Sequence, residues 1–139
     1  MAVRALGAGA MVDAQGTWPI NYVNFANEND ILKDVTAIYT ANASRLNAAT
    51  IVVNTIYADM WKKTNVKSNG EIGWSNDAGD TILDDILKLD EDDLICSSVS
   101  MNDHKVNGYD VKDSFDLSTI KVGLKYNYYW DREEKEITG

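Results

Sequence analysis

Apolar residues recur through the first half of the chain at a helical spacing. Leu32, Tyr39, Leu46, Val53 and Met60 fall every seven residues, and Val35, Asn42, Ala49 and Ile56 follow three places behind. A third series, Ile31, Ile38 and Val52, widens the stripe and is interrupted by Arg45. A 3.5-type repeat gathers such positions on one face of a helix, and neither Pro nor Gly breaks it here. The pattern predicts one long amphipathic helix over about residues 28–63. Asn27 or Asn29 can cap it, Glu28, Asp30 and Asp34 suit its positive end, and Lys62 and Lys63 suit its negative end. Residues Thr40 to Ser44 favour caps and turns, so a break there stays open.

The flanks read differently. Residues 1–27 carry Gly7, Gly9, Gly16 and Pro19 without sustained periodicity, which suggests an extended N-terminal arm. Trp18, Ile20, Tyr22, Val23 and Phe25 give it more apolar surface than a disordered tail uses, so Trp18, Tyr22 and Phe25 are expected to dock it, on its own domain or on a neighbour. After the stripe, Asn69-Gly70 signals a hairpin. Residues Thr81 to Leu89 predict a short helix with Asp80 or Thr81 as cap, followed by an acidic turn from Asp90 to Asp93.

The last third predicts antiparallel sheet. Leu94 to Met101 reads as a strand, and Asn107-Gly108 marks a second hairpin. A two-residue turn there sets Val106 opposite Tyr109, Lys105 opposite Asp110, His104 opposite Val111 and Asp103 opposite Lys112. That register gives one apolar face and one face of opposite-charge pairs. Ile120, Val122, Leu124, Tyr126, Tyr128 and Trp130 then alternate with Lys121, Gly123, Lys125 and Asn127 as a strand should. The expected fold is α+β: an N-terminal arm (1–27), a long helix (28–64) and a β-rich body (65–139). The body holds the short helix, near 81–89, and hairpins over about 94–130. We expect a single domain, with Thr64 to Gly70 the nearest thing to a boundary.

Charge narrows the function. The formal net charge is −9, and between Asp77 and Asp116 twelve acids face three bases, so the whole excess lies in that stretch. Such a field repels phosphate backbones, which argues against nucleic-acid binding. One cysteine, Cys96, excludes an internal disulfide or a multi-cysteine metal centre and suits a reducing cytoplasm. No run of about 18 apolar residues exists to span a membrane. The short, Gly-rich opening makes a poor signal peptide.

Catalytic chemistry finds little support. The single histidine, His104, falls on the apolar face of its hairpin, and Cys96 sits among apolar neighbours as an inert small hydrophobe. Gly7 and Gly9 lack the third glycine or the Lys-Ser/Thr of a phosphate cradle. Asp84, Asp85, Asp90, Glu91, Asp92 and Asp93 could offer oxygens to Ca²⁺ or Mg²⁺, yet no EF-hand spacing accompanies them, so a solvated acidic face is expected. The reading is of a chain with no catalytic residue, cofactor or metal, and not of an enzyme.

A helix of about 35 residues is roughly 50 Å long, whereas a body of about 75 residues is about 30 Å across. That body cannot cover the stripe, and an uncovered apolar stripe points to association with protein. The expected interface is Ile31, Leu32, Val35, Ile38, Tyr39, Asn42, Leu46, Ala49, Val52, Val53, Ile56 and Met60, with Asn42 setting register. A break near Asn42 that folds the helix back, or coverage by residues 1–27, is the competing reading.

Three features give the layout a likeness. They are the small-residue opening Met1–Ala10, the Ala-, Asn- and Thr-rich stretch Thr40–Thr50, and the acidic β-rich C-terminal part. In these the chain resembles small virion proteins of tailed bacteriophages, such as head fibres, decoration proteins and head–tail connector components. The resemblance implies homo-oligomerisation through the helix, contacts with other structural proteins, and a place in a virion assembled in a bacterial cytoplasm. No motif matches residue by residue, so no functional residues are carried over. The alternative expectation is a monomeric acidic module, of inhibitor or immunity type, that covers a basic site on a protein target.

Overall fold

A computed structural model describes residues 1–36 and 42–139. Within it the chain divides into two compact units, Met1–Ile86 and Leu87–Gly139, each with its own apolar core. The division falls after Ile86, not at Thr64–Gly70. The fold is α+β, with antiparallel sheets.

The expected arm is part of the first core. Helices α1 (Ala2–Ala5), α2 (Gly9–Gln15) and α3 (Ile20–Glu28) bury Val3, Leu6, Ala8, Met11, Val12, Phe25 and Ala26 against one another. Small residues are what let such short helices close up, so the composition that suggested a flexible arm serves close packing. Gly7 makes the turn between α1 and α2 with φ +81°, and a Cβ there would collide with the Trp61 carbonyl. The Trp61 N–H also donates to the Leu6 carbonyl at 2.6 Å. Residues 6–8 are thus gripped by the strand that follows the central helix.

The long helix over 28–63 is replaced by four pieces. Helix α3 ends at Glu28, where the Asn29 side chain donates to the Phe25 carbonyl at 2.8 Å. Residues Asn29 to Asp34 form turns, with Asp30 (φ +57°) and Asp34 (φ +59°) in the left-handed conformation that Asp and Asn tolerate best. The acids expected at a helix start therefore mark a helix end. A new helix, α4 (Arg45–Tyr57), starts at Ser44, whose hydroxyl accepts from the Asn47 N–H at 3.1 Å. After Ala58 the backbone turns extended and enters strand β1 (Asp59–Val66), which pairs antiparallel with β2 (Ile72–Thr81). Met60, Lys62 and Lys63 are therefore strand residues. Lys63 lies 5.5 Å from the ring of Trp74, its cross-strand partner, and Lys62 reaches Asp80 and Asp77 at 2.6 and 3.0 Å. A hairpin forms at Asn69-Gly70, but with a three-residue turn and not the two-residue turn that Asn-Gly suggests: Val66 stands opposite Ile72 and the Lys67 N–H donates to the Glu71 carbonyl at 2.8 Å, leaving residues 68–70 in the turn.

Residues Ile82–Ile86 make a single wide helical turn, not a helix to residue 89; Thr81 Oγ1 accepts from the Asp84 N–H at 3.2 Å, as a cap should. Lys88 then takes φ +55° and strand β3 (Leu89–Ile95) begins. The stretch expected as an acidic turn is therefore strand. Its residues Asp90 to Asp93 pair with Trp130 to Asn127 of β7 (Lys125–Asp131).

The second unit is built on two hairpins and one asparagine. Strands β4 (Val99–Ser100), β5 (Lys105–Val106) and β6 (Tyr109–Asp110) form one small sheet. Val106 faces Tyr109 and Lys105 faces Asp110, with an ion pair of 2.9 Å, as the two-residue turn requires. Asn107 does more than turn the chain. Its Oδ1 accepts from the backbone N–H groups of Ser97 and Ser98 at 2.7 and 3.1 Å and from the Ser97 hydroxyl at 2.9 Å, while its Nδ2 donates to the Ile95 carbonyl at 2.8 Å. This clamp shapes residues 96–98, which interrupt the strand expected from Leu94 to Met101. The strand expected to start at Ile120 starts instead at Lys125, because Gly123 (φ +91°) turns back to bond the Cys96 carbonyl at 2.7 Å. Strand β7 also pairs with β8 (Glu136–Ile137) across a turn in which Asp131 accepts from the Glu133 and Glu134 N–H groups. Those bonds favour the ionised form and hold the Asp131 carboxyl below its ordinary range.

Two substitutions check these cores. Gly7→Ala is expected to cost the first unit about 2–4 kcal/mol, from left-handed strain plus overpacking against Trp61; an unchanged denaturation midpoint would show that the turn yields freely. Asn107→Ala is expected to cost the second unit about 2–3 kcal/mol through lost hydrogen bonds. Amide exchange at Ser97 and Ser98 should speed up with it, and unaltered exchange there contradicts the clamp.

Candidate interaction surface

Helix α4 faces the opposite way from the usual amphipathic helix. Three polar side chains point into the first unit. Asn47 Nδ2 donates to the Thr36 carbonyl at 2.8 Å. Asn54 Nδ2 donates to the carbonyls of Ile31 (3.2 Å) and Lys33 (2.8 Å). Thr55 is buried, and its hydroxyl returns to the Ile51 carbonyl at 2.6 Å. The turns over residues 29–34 expose backbone carbonyls that no strand or helix satisfies. Asparagine supplies the donor at the right reach, so the polar side of α4 is drawn inward.

The apolar side is left outward. Leu46 is 76% exposed, Val52 58%, Val53 51% and Tyr57 43%. Ala49 is exposed beside them and Ile56 is half-buried. Arg45, in the first turn, is the one charged residue of the helix. Removing these side chains from water would contribute on the order of 3–7 kcal/mol, taking ~1.5–3 kcal/mol for each fully buried apolar side chain.

The other residues of the expected interface scatter. Ile31 is buried (1% exposed) in the turn region, and Leu32 and Met60 pack half-buried on the first core from a turn and a strand. Val35 is half-buried, and Asn42 is exposed outside any helix. Ile38 and Tyr39 lie outside the described residues. The structure thus brings together Leu46, Ala49, Val52, Val53 and Ile56, and Asn42 has no place in a seam. Of the docking residues, Phe25 is buried with its ring 5.7 Å from Trp61, edge to face. Tyr22 is half-buried, and its hydroxyl donates to Asp13 at 2.8 Å. Trp18 is 74% exposed.

Comparison with protein families, characterised proteins and solved structures finds no match to this chain.

Two polar features lie elsewhere, one in each unit. An open depression of about 470 Å³ in the first unit is lined by Glu28, Asp30, Lys33, Asn54, Tyr57 and Asp59, among others. In the second unit β3 is the edge of its sheet, with Asp90, Glu91, Asp92 and Asp93 exposed along it. Asp93 pairs with Lys125, and Asp90 lies 3.6 Å from Arg132. Charges along an open edge discourage another strand from adding to it. Burial, then the nearby Asp92 charge, raise the Tyr128 phenol above its ordinary value. Among the described residues no group of three or more His, Cys, Asp or Glu side chains could hold a metal ion, and no helix is long and apolar enough to cross a membrane. His104 Nε2 lies 3.2 Å from the Lys112 carbonyl, a tie within its own hairpin.

Sequence reasoning missed Asn47 and Asn54. Their seven-residue spacing, which sets both on one side of the helix away from Leu46 and Val53, is the only signal the sequence offers for them. Asn54→Ala is expected to cost about 1–3 kcal/mol by stranding two carbonyls, whereas Val53→Lys should change stability by less than about 0.5 kcal/mol. The reverse order in chemical denaturation would mean that the apolar face is the buried one.

Proposed function

We propose that this chain is a non-catalytic structural or assembly protein that associates with other protein through the outward face of α4. One observation carries the reading: Leu46, Val52 and Val53 stand in water while the same helix turns its asparagines inward. A helix in that orientation leaves its apolar face for something other than its own core. Length is no part of this, since a helix of 13 residues is short enough for its own unit to cover. What remains of the seam is shorter and still uncovered. We take the setting to be a virus or phage particle, on the likeness to small virion proteins, with homo-oligomerisation and neighbouring structural proteins as the partners. Of the likeness, the acidic β-rich C-terminal part persists, whereas Met1–Ala10 folds onto the first core through Val3, Leu6 and Ala8 and is not a free arm.

A second reading has an observation of its own. The open edge of β3 carries four consecutive acids, the kind of surface a monomeric inhibitor or immunity module would present to a basic site. Salt separates the two, since it screens exposed charges and leaves apolar contact intact or strengthened. Sedimentation of the purified chain at low and high salt is expected to give a mass above 15.4 kDa that salt does not reduce. A monomer under both conditions would argue for the acidic module.

A further inference from the structure

Asn69 and Asn107 are the two asparagines that a glycine follows. We propose that Asn69 is a site of spontaneous deamidation, which adds a negative charge at the tip of the β1–β2 hairpin, whereas the Asn107 clamp protects its own amide. The reaction has two steps. The Gly70 nitrogen gives its proton to water and attacks Asn69 Cγ. A C–N bond closes a five-membered imide, and Nδ2 takes up a proton and leaves as ammonia. Water then opens the ring at either carbonyl, which leaves an aspartate or an isoaspartate at position 69. The sum is amide plus water giving acid plus ammonia, with no oxidant or cofactor. Glycine matters because it sets no side chain in the way of the attacking nitrogen.

The glycines do not separate the two positions. Gly70 and Gly108 both hold positive φ, +82° and +86°, with open space where a Cβ would stand. The asparagines differ. Residues 67–71 are all exposed. The Glu71 N–H donates to Asn69 Oδ1 at 3.1 Å, which folds the side chain back across the Gly70 peptide and brings Cγ toward the attacking nitrogen. The other bond of that amide, from Nδ2 to Glu71 Oε2 at 3.3 Å, is long and exposed. The Gly70 N–H donates to the Lys67 carbonyl at 2.9 Å and must let go first. That bond lies at the end of a two-stranded ribbon, where local opening costs least. Asn107 is half-buried, and four bonds of 2.7 to 3.1 Å fix both ends of its amide on residues 95–98. Its Cγ cannot turn to Gly108, nor its Nδ2 depart, until the clamp opens. At position 69 the product carboxylate loses the donation to Glu71 and stands beside it. Lys67, which pairs with Glu71 at 3.2 Å, then faces two acids.

The test incubates the full-length chain in mildly alkaline buffer, native and in urea, and follows both Asn-Gly positions by mass spectrometry of proteolytic peptides. In the native chain, position 69 is expected to gain acid and isoaspartate at least about tenfold faster than position 107, whose reaction waits on opening of the clamp. In urea, where neither hairpin persists, the two rates are expected to converge. Asn69→Gln keeps an amide but would have to close a larger ring, so it should stop the change at 69 and leave the slow one at 107 as it was. Native rates that are equal, or faster at 107, overturn the proposal. So does an amide at 69 that survives in the native chain and is lost in urea, since the hairpin would then be protecting it. A gap between the positions that persists in urea also overturns it, because the fold would not be its cause.

Discussion

The amide of Asn54 holds the carbonyls of Ile31 and Lys33, and the orientation of α4 depends on it. An irregular turn inside a small unit leaves backbone acceptors that must be satisfied. A nearby helix can satisfy them only by turning polar side chains toward them. Asn47 repeats the arrangement one heptad earlier, on Thr36. Once both amides point inward, helical geometry fixes where Leu46, Ala49 and Val53 point, and that is outward. The exposed apolar face follows from satisfying the turn.

The rest of the first unit makes this tolerable. Its core is filled from elsewhere, by Val3, Leu6, Met11 and Val12 of the first two helices and by Phe25 stacked edge-on to Trp61. Helix α4 contributes little apolar volume inward beyond Ile51, so stability does not demand its hydrophobic side. The second unit has a different vulnerability, an open sheet edge at β3, and there the chain places charge. Four acids keep that edge from templating another strand, while the surface left neutral is helical. The exposed apolar surface of the chain is thus on a helix, and the open strand edge is charged.

Local signals were read correctly where the chemistry is local. Asn107, Gly108 and Gly70 turn their hairpins because they tolerate positive φ, and the charge pair Lys105–Asp110 appears in the expected register. Alternation in Tyr126, Tyr128 and Trp130 marks strand β7 for the same reason, since period two belongs to a strand whatever it packs on. The central stripe failed because its repeat joined residues from a turn, a helix and a strand. Apolar positions in three elements happened to share a seven-residue spacing. The clues against a continuous helix were Asn29, Asp30 and Asp34, whose left-handed or capping conformations end helices as readily as their side chains begin them.

By itself the sequence determined the α+β class, the places of both Asn-Gly turns and the place of the acidic charge. Tertiary structure decided that residues 1–12 fold as short helices that pack into the first core, that the stripe divides into turn, helix and strand, and which side of α4 meets water. The reason is physical. A hairpin or an alternating strand is set by neighbours in sequence, whereas the direction a helix faces is set by which unsatisfied carbonyls lie beside it, and those come from residues 11 to 23 positions away.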